Sequence, residues 1–196
     1  MNTVEVTPVA TAALPLALLR AHLRLGTGFG DESLQDGLLE TCLRAALARV
    51  EGHCGKAVLA RAFTLRVGEW RELSRQMLPL APVSVVTRLS IWDRLGAEVV
   101  VDAGAYRLIR DDQAPMVISA GYMLPRIPLA GQAEIGFVAG YGAWDAVPGD
   151  MAQAVLMLAA QYYEARDASA GGEMPGSVAG LLARYRTLRL LGGARS

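Results

Sequence analysis

A chain of 196 residues has room for one hydrophobic core, or for a core with a smaller appended subdomain, and two full domains would be tight. With 53% hydrophobic and 19% charged residues it is too apolar to be disordered along its length. Its 19 basic and 19 acidic residues cancel, which excludes a global field that would draw it to DNA or to an anionic membrane.

Residues 1 to 13 lack periodicity and read as an extended arm. The apolar run from Val9 to Leu19 does not fit a signal peptide, since Glu5 precedes it, no basic residue does, and Arg20 ends it. No apolar run approaches the ~20 residues of a membrane span. Pro15 stands where a first helical turn tolerates proline, and Leu16, Leu19 and Leu23 recur at helical spacing. A helix of about three turns is expected there, with Gly26 as its left-handed cap.

Three glycines follow in five positions, Gly26, Gly28 and Gly30. A dinucleotide fingerprint needs G-x-G-x-x-G after a strand, and a phosphate loop needs a Lys-Ser/Thr pair opening the helix. This stretch has neither, and Asp31 and Glu32 would repel an anion, so it reads as a helix junction. Asp31 is suited to cap a second helix of roughly 22 residues, ended by Gly52 and Gly55. Leu34, Leu38, Cys42, Ala45, Ala46 and Val50 form its expected apolar stripe. Cys42 and Cys54 on one helix would lie about 18 Å apart, beyond disulfide reach, so buried thiols in a reducing compartment are expected.

After Lys56, the only lysine, the period changes from helical to alternating. β-Branched and aromatic runs separated by Pro, Gly and Asp make residues 60 to 142 an antiparallel β-subdomain, with Trp92 to Ala97 as a hairpin turn. Helical spacing returns after Pro148, where Met151, Val155, Leu158, Ala159 and Tyr162 share a face. Residues 167 to 177 read as a connection. A short helix follows from Val178 to about Leu188, then a loose "LLGGARS" tail. The fold class is α+β: a bundle of about four helices with an inserted antiparallel β-subdomain. Its parts are an arm and two helices (1–56), the β-subdomain (57–147) and the C-terminal helices and tail (148–196).

No catalytic or metal-binding signature occurs. His22 and His53 are the only histidines, and no ligand pair has zinc spacing. Asp111 and Asp112 sit in a turn context, and Trp70, Trp92 and Trp144 lack clustered basic neighbours and read as packing residues. No cofactor is expected.

In order, "LPLALLRAHLRL", "GDESL" opening a long helix, "AALARVEGHCGKAV", "LPLAPVSVVTRLSIWDRLGAEVVV", "AYRLI", "FVAGYGAWDAVPGDMAQAVLMLAAQYYEAR" and "LLARYR" resemble the head-tail connector (adaptor) proteins of long-tailed phages and related gene transfer agents. The resemblance covers about residues 8 to 187. Each motif alone is little more than helix boundaries and apolar spacing; the ordered set is specific. It implies a structural, non-enzymatic subunit of a closed ring of about twelve copies between the portal and the next neck or tail component. DNA would pass only as cargo, with no membrane partner, and the protein would go from the host cytoplasm during assembly to the neck of the particle. The glycine-rich junction and the large β-subdomain are two departures from the family pattern.

The resemblance also implies that a C-terminal segment reaches the portal, which makes Leu182, Arg184, Tyr185, Arg186, Leu188, Arg189, Leu190 and Leu191 the docking candidates. For the first of these the residues leave two readings open, because Leu181, Leu182, Tyr185 and Leu188 also fit a bundle stripe. The alternative function, a ligand-binding protein or enzyme using the β-subdomain as a pocket, predicts a saturable ligand. A nucleic-acid-binding regulator would need a basic face, for which only the stretch from Arg184 to Arg195 offers material.

Overall fold

The computed structural model describes residues 2–25, 32–165 and 173–186. Gly26, Gly28, Gly30, Asp31, most of the 167–177 connection and the tail after Arg186 lie outside them. Among the described residues, four helices, α1 (Leu16–His22), α2 (Glu32–Cys54), α3 (Gly149–Glu164) and α4 (Gly176–Leu182), come from both ends of the chain and share one core. The eight strands of the described residues make two antiparallel sheets around a second core.

The first helix has seven residues, about two turns rather than three, because Arg24 turns to a positive φ of 54° just after it. The register of the α2 stripe also differs from expectation. Leu39, Cys42, Leu43, Ala46, Leu47, Val50 and Cys54 are buried, whereas Leu38 and Ala45 are exposed. Both series satisfy a 3.6-residue period, and packing against α3 selects between them. On α3 the expected face holds: Met151, Val155, Leu158 and Ala159 are buried and Tyr162 packs at the edge of the same core. Pro148 immediately precedes the helix, where its missing N–H is not needed.

The larger sheet has the order β1-β2-β8-β4-β5, formed by β1 (Asn2–Glu5), β2 (Arg61–Val67), β4 (Val83–Trp92), β5 (Glu98–Val100) and β8 (Gln132–Ala139). The smaller has the order β3-β7-β6, from β3 (Arg75–Met77), β6 (Tyr106–Ile109) and β7 (Met116–Ser119). Alternation along β2 and β8 turns Phe63, Leu65, Val67, Ala133, Ile135, Phe137 and Ala139 to one buried face, as a half-buried sheet requires. Phe63 and Phe137 stack with centroids 5.8 Å apart. The supposed arm is partly a strand: β1 pairs antiparallel with β2 and makes one edge of the sheet. The turn at Trp92 to Ala97 forms as expected, with Asp93 Oδ1 accepting from the amides of Leu95 and Ala97.

The two cores meet at one end of the β-subdomain. There α2 stops at Gly55, whose φ is +64°, and Ala57 N donates to Ala81 O. Gly140 is required at this junction, for at φ +129° a Cβ would fall 2.4 Å from the Ala60 backbone. Lys56 is fully buried and donates to Asp112 O and to Gln113 Oε1 at 3.0 Å, tying the end of α2 to the β6–β7 loop. Burial lowers its pKa, and the charge of Asp112 works the other way.

Candidate docking surface at the C-terminal helix

The helix α4 is seven residues long, and a 3-10 turn, Ala183–Tyr185, continues it. Val178 and Leu182 are buried against the bundle, and α4 packs on α3. Of the two readings of "LLARYR", the bundle stripe accounts for Leu182 and for the ring of Tyr185, which is 8% exposed. The described part of the helix ends short of Leu188.

What anchors the end of this element is Asp150, in the first turn of α3. Its Oδ1 accepts from the Tyr185 hydroxyl, and its Oδ2 lies 2.8 Å from Arg184 Nε. The Arg184 guanidinium sits 4.7 Å from the centroid of the Tyr185 ring and also donates to the Tyr185 hydroxyl. Burial works against ionisation of Asp150. The Tyr185 hydroxyl, the Met151 amide and the Arg184 charge outweigh it and hold the carboxyl below the usual carboxylate range. The same site raises the Tyr185 pKa, first by burial and then by the hydrogen bond to Asp150. Tyr141, packed at the edge of the helical core, is pushed up to about 12, chiefly by burial.

Arg184 and Arg186 are exposed. The charge of Arg186, second to burial, lowers the His53 pKa. Leu188, Arg189, Leu190 and Leu191 lie outside the described residues. Asp150 was not singled out from sequence; an acidic residue in a first helical turn was visible, but its pairing with a residue 34 positions later was not.

A second feature is a groove of about 580 Å³ at the junction end, between the arm and the start of β2. Pro8, Val9 and Ala13 line one side, and Leu59, Gly142 and Ala143 the other. The arm is clamped by α2: Arg44 Nη1 donates to Val9 O at 2.9 Å, and the Thr11 hydroxyl donates to Glu40 at 2.9 Å. Arg61, the charged residue in the lining, is held between Glu5 and Glu51 at 2.8 and 2.7 Å. Between the sheets, by contrast, the side chains of Leu65, Leu89, Val117, Leu124 and Phe137 fill the interior of the β-subdomain.

The remaining candidates pack or stand in solvent. His22 is exposed, and Asp111 Oδ1 accepts from the amides of Gln113 and Ala114 as a turn residue. Trp70 Nε1 donates to Pro125 O at 2.7 Å, and Trp144 packs on the helical core. Cys42 and Cys54 are buried, and burial pushes the Cys54 thiol up to about 11. Among the described residues no group of His, Cys, Asp and Glu could hold a metal ion, and no helix is long and apolar enough to cross a membrane.

No family model and no curated protein matches the sequence. Solved structures do: over the whole of both chains, with 48% identity and a TM-score of 0.91, it is similar to a chain in the neck of an empty gene transfer agent (GTA) particle computed with C6 symmetry. The chain belongs to the head-tail connector family of gene transfer agents and related phages. A chain in the virion of a native gene transfer agent particle is also 48% identical, with 98% of this connector and 99% of that chain covered and a TM-score of 0.88. A third, in the neck of a native particle computed with C12 symmetry, is 44% identical over the whole of both chains, with a TM-score of 0.86. Two of these relatives are chains of a particle neck, and this connector is a structural neck subunit.

Proposed function

We propose that this chain forms a closed ring of about twelve copies between the portal of a DNA-filled head and the next neck or tail component. The single observation that supports it is full-length similarity, at 44–48% identity, to chains in necks computed with C6 and C12 symmetry. The role is structural, with no catalytic step. Subunits are made in the host cytoplasm and end in the neck, and DNA passes through the ring as cargo. The helical parts, 1–56 and 148–196, form the ring body, and the β-subdomain spans 57–147.

Docking on the portal falls to the exposed Arg184 and Arg186 and to the segment holding Leu188, Arg189, Leu190 and Leu191. Leu182 and Tyr185 keep α4 seated on the bundle. Neutral net charge suits a passage along which DNA must slide without sticking.

The test uses tailless, DNA-filled heads from the same system. Full-length protein and a form truncated after Arg186 are mixed with heads, and co-sedimentation and a ring at one vertex are scored by negative-stain microscopy. The cut belongs after Arg186, because removing α4 would strip Val178, Leu182 and Tyr185 from the core. Binding by full-length protein alone supports the connector role and the C-terminal dock. Equal binding by both forms refutes the dock, and binding by neither refutes the connector role.

A further inference from the structure

A ring built from identical subunits has a heterologous interface, so each copy must carry two different, mutually complementary patches. The groove beside the arm is one apolar concavity. The convex counterpart lies at the other end of the β-subdomain. Among the described residues, the large apolar side chains that are 60% or more exposed are Leu73, Leu95, Val99, Tyr122, Met123 and Leu129. Strand pairing collects them. Leu95 and Val99 belong to the β4–β5 hairpin, at the end where Trp92 meets Gln132, and Leu129 stands in the turn that leads into β8 there. Leu124 N donates to Leu73 O at 2.7 Å, which brings Leu73 beside Tyr122 and Met123 past the ends of β3 and β7.

This is the end remote from the bundle, since β2, β4 and β8 meet the helices through Arg61, Val83 and Ala139. The seven residues of β2 separate the two ends by about 20 Å. Scattered apolar side chains on a surface are ordinary; a concentration of the most exposed ones at a single end marks an interaction site. Arg61 in the groove is neutralised by Glu5 and Glu51, and at the far end Glu72 and Arg75 pair with each other at 2.7 Å.

We propose that the apolar end of one copy's β-subdomain, led by Tyr122 and Met123, seats in the arm groove of the next copy and so closes the ring. The occupant of the groove is a second copy of this chain. The inference rests on the ring reading above and names its contact.

The buried native cysteines allow a direct test. In full-length protein carrying both Ala10→Cys, in the groove, and Met123→Cys, at the tip, the introduced thiols are exposed while Cys42 and Cys54 are not. Oxidation of rings assembled on heads is expected to give a ladder of covalent multimers on a non-reducing gel, with neither single variant giving more than a dimer. Tyr122→Asp is expected to leave thermal stability unchanged, because the side chain is 97% exposed, and to abolish ring formation. Rings on heads without a ladder overturn this contact and leave the connector role standing. Rings that persist in Tyr122→Asp but no longer accept the next neck component also overturn it, assigning the apolar end to that component. Absence of rings with the unmodified protein overturns both readings.

Discussion

Leu182→Ala separates the two roles available to the C-terminal helix. Leu182 is 0% exposed and packs in the same core as Leu43, Val155 and Val178. Truncating a fully buried leucine removes its transfer free energy and leaves a partly collapsed cavity, a loss of about 3 kcal/mol within a ~2–5 kcal/mol range. In a chain of this size each kcal/mol moves the melting temperature by ~2–4 °C, so a fall of roughly 6–12 °C is expected. The assay is thermal unfolding followed by circular dichroism at a helical wavelength, alongside head binding at a temperature where the variant is still folded. Arg184→Ala is the control. Its guanidinium is exposed, so its melting temperature should scarcely change, whereas head binding should weaken if the surface docks. A Leu182→Ala variant with unchanged melting temperature and lost head binding would falsify the assignment of Leu182 to the bundle.

Further expectations concern the anchor, the thiols and the junction. Asp150 has a folded pKa below its ordinary 3.8, so in that window the unfolded chain binds more protons and stability rises with pH. Its contribution is complete above the ordinary value and is lost as pH falls through the folded one. The difference in urea midpoint between the unmodified protein and Asp150→Asn should therefore shrink as pH falls from above the ordinary carboxylate value through the lower folded one; a constant difference would show that the carboxylate charge is not what anchors Tyr185 and Arg184. Cys42 and Cys54 are buried with raised pKa values, so alkylation followed by mass spectrometry should modify neither in the folded protein and both in denaturant. Rapid native labelling of either would contradict their burial. Gly140→Ala should destabilise by more than ~1 kcal/mol, since a positive φ and a backbone collision act together; a variant as stable as the parent in urea would count against the tight junction.

Much of the architecture was legible along the chain, because helices and strands leave different periods. The change from the α2 pattern to alternation after Lys56, and back after Pro148, marks the inserted strands. Asp93 and Asp111 announced turns that their carboxylates do stabilise. The α2 register was not legible: Leu38 and Leu39 are neighbours on a helix whose apolar residues nearly encircle it, and only the position of α3 decides which is buried. The division into two sheets was equally hidden, since alternation tells a strand which face to bury but not which partner to take. Lys56 shows the same limit. A lone lysine reads as a surface residue until Asp112 O and Gln113 are brought to it from more than fifty positions away.

The family, too, was written in the order of the motifs, since helix boundaries and apolar spacing are local properties that survive in the linear chain. The surfaces were not. Asp150 meets Arg184 and Tyr185 across 34 and 35 positions, the arm pairs with β2 across some sixty, and Leu95, Tyr122 and Leu129 reach one end through strand pairing. Local composition thus determined which elements form. Where chemistry-bearing side chains converge depends on long-range pairing, whose loop-closure entropy and burial energies are set only when the whole chain folds.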